Sequence, residues 1–193
     1  MLKLQKIYKS ETALEILQEA ILSGDIPSGT DITQNEAAQS LGVSRIPVRE
    51  AFLALEYCGL VERLPGQHIR VSSLDDEIIK NIFSDMALLS METIKNFSSD
   101  EIKALSSCEN QNEFHDFLIE KAKSPIRKKF FKIISKIYLP FILKYSESLA
   151  NVNEIFRNLL NEVKNSDVIE KAYKNYSAAL AFELIKIRNK NSN

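Results

Sequence analysis

The residues best suited to recognition chemistry lie in the stretch SLGVSRIPVREAF, residues 40–52. Here Arg45 and Arg49 stand four apart beside a glycine and a proline. Four residues is about one helical turn, so both guanidinium groups project from one face. Val48, Ala51, Phe52 and Leu55 form an apolar stripe on another face, which leaves the arginines on the side that a core does not use. A guanidinium fork matches the O6 and N7 acceptors of guanine, and a helix entering the major groove offers its N-terminal turns to base edges. Ser44 and the amides of a helix start suit a phosphate. On an isolated helix such a pair reads more simply as two solvated charges; the surrounding elements decide.

Those elements are legible. Ala13, Ile16, Leu17, Ala20 and Ile21 recur at helical spacing, predicting a helix from about Ser10 to Ser23 that Gly24 ends. Thr33-Gln-Asn-Glu36 is a capping box that opens a short helix through Ser40. Gly42 makes a tight turn, and Ser44 opens a third helix with Pro47 in its first turn, where a missing N–H costs little. LVERL and HIRVS then read as two strands joined at a Pro-Gly turn. Helix, glycine turn and helix make a helix-turn-helix, and the hairpin is its wing.

No glycine occurs beyond Gly66. The rest of the chain reads as an all-α bundle of about six helices, at 75–97, 100–107, 110–123, 126–149, 151–165 and 167–190, with a kink expected at Pro140. Asp167 is placed to cap the last. The expected fold is therefore mostly α, with a winged helix-turn-helix at 1–73 and a helical domain at 74–193.

Composition narrows the function. The 193 residues are 26% charged and 45% hydrophobic, with a net charge of −1, as in a soluble globular chain. Cys58 and Cys108 are too far apart for a metal or redox motif and are expected to be reduced thiols. The start lacks the apolar run of a signal peptide, and the apolar stretch IYLPFIL at 137–143 is too short to span a bilayer. A cytoplasmic location follows as an expectation. There is no phosphate loop, dinucleotide fingerprint, metal cluster or Ser/His/Asp order, so an enzyme is not expected. The first 73 residues hold 7 Lys+Arg and 9 Asp+Glu. A DNA-binding unit with that balance must rely on where its few cations stand, which predicts few phosphate contacts and a shallow salt dependence.

The stretch AILSGDIPSGTDITQNEAAQSLGVSRIPVREAFLALEYCGLVERLPG resembles the winged helix-turn-helix of the GntR family of bacterial transcription regulators, FadR-like branch, and the likeness runs over residues 14–72. It implies that Arg45 and Arg49 contact an operator, with Ser44, Ile46 and Pro47 in the same turn and Asn35 near the phosphates. It also implies that the wing tip, Pro65, Gly66, Gln67 and His68, enters the minor groove. Ile46 replaces the family's usual Thr and offers an apolar contact to a thymine methyl. His68 stands where a second glycine is common.

The helical part resembles, more weakly, the family's FCD effector-binding and dimerisation domain, whose pocket commonly holds a divalent metal on one Asp and three His. NEFHDFLIEKAKSP places His115 on a ligand position and Gln111 where the Asp belongs; Phe156 and Ala178 fall on two further His positions, and Met86 replaces an arginine that often helps bind a carboxylate. With two histidines in the chain, a three-His site is impossible, so the expectation is no metal and no cofactor. His115 shares an apolar stripe with Leu118, Ile119 and Ala122, which favours a core histidine over a ligand. The aromatics Phe114, Phe117, Phe130, Phe131, Tyr138, Phe141, Tyr145, Phe156 and Tyr173 read mainly as core; some could line a pocket for a small organic or lipid-like effector around Met86, Gln111, His115, Phe156 and Ala178. The sum is a homodimeric repressor of double-stranded DNA, with or without a small-molecule effector. In the second case protein contacts or abundance would control it.

Overall fold

The computed structural model describes residues 12–65, 68–165 and 168–191. It forms two compact units, divided at 75/76 rather than at 73/74. In the first, α1 (Ala13–Ser23) starts at a capping box: the Thr12 amide donates to Glu15 Oε2 at 2.7 Å and the Glu15 amide to Thr12 Oγ1 at 3.3 Å. After it come β1 (Asp31–Thr33), α2 (Gln34–Leu41), α3 (Arg45–Tyr57), β2 (Val61–Arg63) and β3 (His68–Val71). The antiparallel sheet has the order β1-β3-β2, with Ile32 opposite Ile69 and Arg63 opposite Ile69 on the other side. The expected hairpin is present. The third strand, β1, was not expected, because Asp31–Thr33 is too short to show a period.

The core that fixes α3 is apolar and closed. Val48, Phe52 and Leu55 of α3 and Leu17 and Ile21 of α1 are all buried, and the two helices pack against each other. Gly42 takes φ 72°, a left-handed conformation that a Cβ disfavours, and its amide donates to Ala38 O. That turn sets the angle between α2 and α3. Thr33 both ends β1 and caps α2: its amide donates to Glu36 Oε2 at 2.9 Å and its Oγ1 accepts from the Glu36 amide at 3.2 Å. Thr33→Ala should destabilise the chain by about 1 kcal/mol in chemical denaturation, with the slope against denaturant unchanged because the surface exposed on unfolding stays the same.

The second unit is helical: α4 (Asp76–Ile94), α5 (Ser99–Leu105), α6 (Gln111–Lys121), α7 (Pro125–Ile133), a π turn (Ile134–Tyr138), α8 (Leu139–Tyr145), α9 (Leu149–Glu162) and most of α10 (Ile169–Asn191). The segment expected as one kinked helix over 126–149 is α7, the π turn and α8. Pro140 has no N–H to give to a carbonyl four residues back, and the wide turn just before it absorbs the mismatch. The cap expected at Asp167 lies outside the described residues.

From Ile187 onward the last turn of α10 groups with the first unit. There Arg188 Nη1 donates to Ile21 O at 2.7 Å and Leu22 O at 3.0 Å. Those carbonyls belong to the last turn of α1, where a cation is favoured.

Candidate nucleic-acid interface and the centre of the helical unit

Beginning at the turn, Ser44 occupies the N-cap position of α3 in extended conformation, yet its hydroxyl makes no cap hydrogen bond. The first amides of α3 and the Ser44 hydroxyl therefore face outward without an internal acceptor, which is the condition for meeting a phosphate. Arg45 and Arg49 are exposed, and Val48 between them is fully buried. Ile46 is 62% exposed, which leaves its apolar side chain available to an apolar contact. Pro47 is half-buried, and Asn35 is exposed near the start of α2.

The described residues of this unit up to Ser73 carry four cations besides His68: Arg45, Arg49, Arg63 and Arg70. Two are engaged. Arg70 forms a forked pair with Asp31, at 2.7 and 3.0 Å, and Arg63 bonds Glu56 at 3.0 Å. Pairing with Arg70 holds the Asp31 carboxyl below its usual range. Among the described residues, Arg45 and Arg49 have no ion pair. The unit thus neutralises the cations of its wing strands and leaves uncompensated the two on the N-terminal half of α3. Sequence alone did not separate these pairs, since Arg63 and Arg70 find their acids across strand and helix.

At the wing, His68 is the first residue of β3, pairing with Thr33 and accepting from the Leu64 amide at 2.8 Å, with its side chain exposed. It stands in the ladder rather than at the tip. Gly66 and Gln67 lie outside the described residues.

In the helical unit, Gln111, His115 and Phe156 come together, and all three are buried. The residue that joins them is Tyr176 of α10. Its hydroxyl donates to Gln111 Oε1 at 2.7 Å and lies 3.2 Å from His115 Nε2, while its ring stacks at a tilt on Phe156, 5.5 Å between centroids. Gln111 Nε2 passes the chain on to Asn153 Oδ1 at 3.0 Å. Because the tyrosine proton goes to Gln111, His115 Nε2 carries a hydrogen and donates to the phenol. His115 Nδ1 is then a buried acceptor with no partner among the described residues. Burial holds the imidazole neutral, its pKa pushed down to about 4.

Ala178 does not join this cluster. It is exposed and lines a groove between α4 and α10 instead, so the α10 residue facing Gln111 and His115 is two positions earlier than the family resemblance implied. Tyr176 was missed because the residues it bonds, Gln111 and His115, lie 65 and 61 positions away in the chain. Met86 is fully buried on α4. These donors do not fit a divalent metal: one imidazole already bonded to a phenol, one amide and no carboxylate. Among the described residues no group of three or more His, Cys, Asp or Glu could hold one. A recess of 320 Å³ opens beside Gln111 and Phe156, with Asn153 and Arg157 on its wall.

Residues 9–71 match the family model of bacterial regulatory proteins, gntR family. An uncharacterized HTH-type transcriptional regulator of Mycobacterium tuberculosis is 42% identical over 53 residues, which is 28% of this chain and 21% of that protein. An uncharacterized HTH-type regulator of Agrobacterium vitis is 35% identical over 71 residues, 37% of this chain and 42% of the other. The chain thus spans less than half the length of either relative. Over 93% of this chain and 99% of the other, the fold is similar to that of Lar, described as controlling expression of the Listeria monocytogenes agr system, with TM-score 0.56 and 17% identity. The N-terminal unit is a helix-turn-helix domain of the GntR type, and the mostly helical architecture is shared with the Lar structure. No described helix is long and apolar enough to cross a membrane.

Proposed function

We propose that this chain is a DNA-binding transcription regulator that occupies a palindromic operator as a homodimer and represses by that occupancy. The single observation that carries the reading is the pair Arg45 and Arg49, exposed and without an ion pair among the described residues at the start of α3 in a GntR-type domain. A helix presented this way reads bases by bidentate contacts, with Ile46 against a thymine methyl and Ser44 and Asn35 on the backbone. Twofold operator symmetry asks for a twofold protein. Mobility-shift titration with DNA from upstream of the chain's own gene tests it. A shifted band that resists unrelated competitor DNA is expected; equal competition by any DNA contradicts it.

With only Arg45 and Arg49 left without an ion pair among the described cations up to Ser73, affinity should depend weakly on salt. The slope of log K against log salt is expected to fall well short of the value near ten seen for strongly electrostatic binders. A slope of that size would mean many phosphate contacts and would refute the assigned economy of charge.

A small organic effector would enter the helical unit at the recess beside Gln111 and Phe156. A second reading, a regulator with no small-molecule effector, is favoured by the network Gln111–Tyr176–His115, in which Tyr176 already bonds both Gln111 and His115 Nε2 where the resemblance implies a metal-anchored ligand. In either case the helical unit works without a metal. After incubation with zinc and dialysis, the full chain should retain no stoichiometric metal. One zinc per chain that disappears in His115→Gln would overturn this.

A further inference from the structure

We propose that Leu53 is a further specificity-determining residue, which reads a thymine methyl of the operator from two helical turns beyond Ile46. The proposal rests on the reading of the chain as a DNA-binding regulator and extends it into the C-terminal half of α3. Among the described residues of the first unit, the large apolar side chains left exposed are Ile46 at 62%, Leu53 at 50% and Tyr57 at 63%, and all three stand on α3. Apolar side chains scattered singly over a surface are ordinary. These three are confined to one helix and, at spacings of seven and four, to one side of it.

A recognition helix laid along the major groove reads base edges from positions i, i+3, i+4 and i+7. Counted from Ile46, the later positions are Arg49, Glu50 and Leu53, and all four residues are exposed. The intervening Val48, Ala51 and Phe52 are buried. The side on which Arg49 stands without an ion pair among the described residues therefore continues, unbroken, to Leu53.

The chemistry available at that end is apolar. A leucine side chain neither donates nor accepts a hydrogen bond, so the feature of a base edge that it recognises is the C5 methyl of thymine. The phosphate backbone is a poor partner for this part of the helix, because the exposed Glu50 carboxylate repels it. Seven residues of helix rise about 10 Å, roughly three base-pair steps. The proposed site is thus two thymines about three steps apart, with the base read by Arg49 between them. Tyr57 lies about 16 Å along the axis from Ile46, past the two turns over which such a helix reads.

The test replaces thymine by deoxyuridine, one position at a time, across a half-site in the DNA upstream of the chain's own gene. Each replacement removes one methyl and leaves the base pair intact. Fluorescence anisotropy measures the affinity of the full chain for each duplex, as the parent, Ile46→Ala and Leu53→Ala. Leu53→Gln serves as a second variant of good helix propensity. All these positions are exposed, so far-UV circular dichroism should show the helix content of the parent. The parent should lose about fourfold at each of two thymines about three steps apart, the effect of one buried methyl. Leu53→Ala and Leu53→Gln should abolish the loss at one of these thymines and keep it at the other, and Ile46→Ala should do the reverse. A parent indifferent to every methyl overturns the proposal, as do Leu53 variants that keep every loss of the parent. Leu53 variants that weaken operator and scrambled duplexes alike also overturn it. Competition by unrelated DNA separates the two claims. Specific binding with a deoxyuridine profile unmoved at residue 53 loses Leu53 alone, whereas equal binding to any duplex loses the regulator reading and this proposal with it.

Discussion

Arg45→Ala and Arg49→Ala should each weaken operator binding by roughly 5–150-fold, about 1–3 kcal/mol, and relax the choice of base at the position each one reads. The size of the effect follows from the absence of an ion pair to either side chain among the described residues: neither has to leave such a partner to reach DNA, so its whole contact is made on binding. Arg63 provides the contrast. It is already bonded to Glu56, and a contact to DNA would require that pair to break. Arg63→Ala should therefore cost less than either substitution on α3, and its loss should be the same on specific and unrelated DNA. Titration of the three variants against operator and scrambled duplexes measures this. Unchanged operator affinity in both Arg45→Ala and Arg49→Ala would remove the assigned role.

Between pH 6.5 and pH 4 the chain should lose about 3 kcal/mol of stability through His115 alone. The imidazole is fully buried, and burial, far more than the small downward push of Lys136 and against the small upward pull of Asp116, takes its pKa from 6.5 down to about 4. The unfolded chain therefore binds a proton in this window that the folded chain refuses. The contribution is complete above about pH 6.5, declines as pH falls, and is exhausted near pH 4. His115→Gln keeps a donor for Tyr176 but cannot titrate. Denaturation at several pH values should give the variant a flatter profile across this window, while acid effects of carboxylates at lower pH remain. Parallel profiles would mean that the histidine is hydrated or paired and not held neutral.

Much of the recognition unit was legible because its signals are local. Thr33 and Glu36 are three apart, Gly42 ends one helix, Ser44 opens the next, and the stripe Val48, Ala51, Phe52, Leu55 sets the buried face of α3. What was not legible depends on contacts far apart in the chain. Arg70 meets Asp31 across 39 residues, a pairing made by β1, a strand too short to announce itself. The helical unit divides the same way. Helices were visible from their spacing, and Pro140 marked the site of irregularity although the π turn that precedes it was not visible. On α10 the residue that meets Gln111 and His115 is Tyr176 and not the expected Ala178, a contact across more than 60 residues that no local pattern announces. Gln111 and His115, i and i+4 on one helix, could be found; their partner could not.

The central claim is that this chain reads a specific duplex through the N-terminal turns of α3. Hydroxyl-radical footprinting of the full chain on its own upstream DNA, with the parent beside the double variant Arg45→Ala, Arg49→Ala, tests it most directly. Two protected half-sites about one helical turn apart, related by a palindrome, are expected, and they should vanish in the double variant while its fold is unchanged. A parent that protects no discrete site, or a double variant with the same footprint, would contradict it.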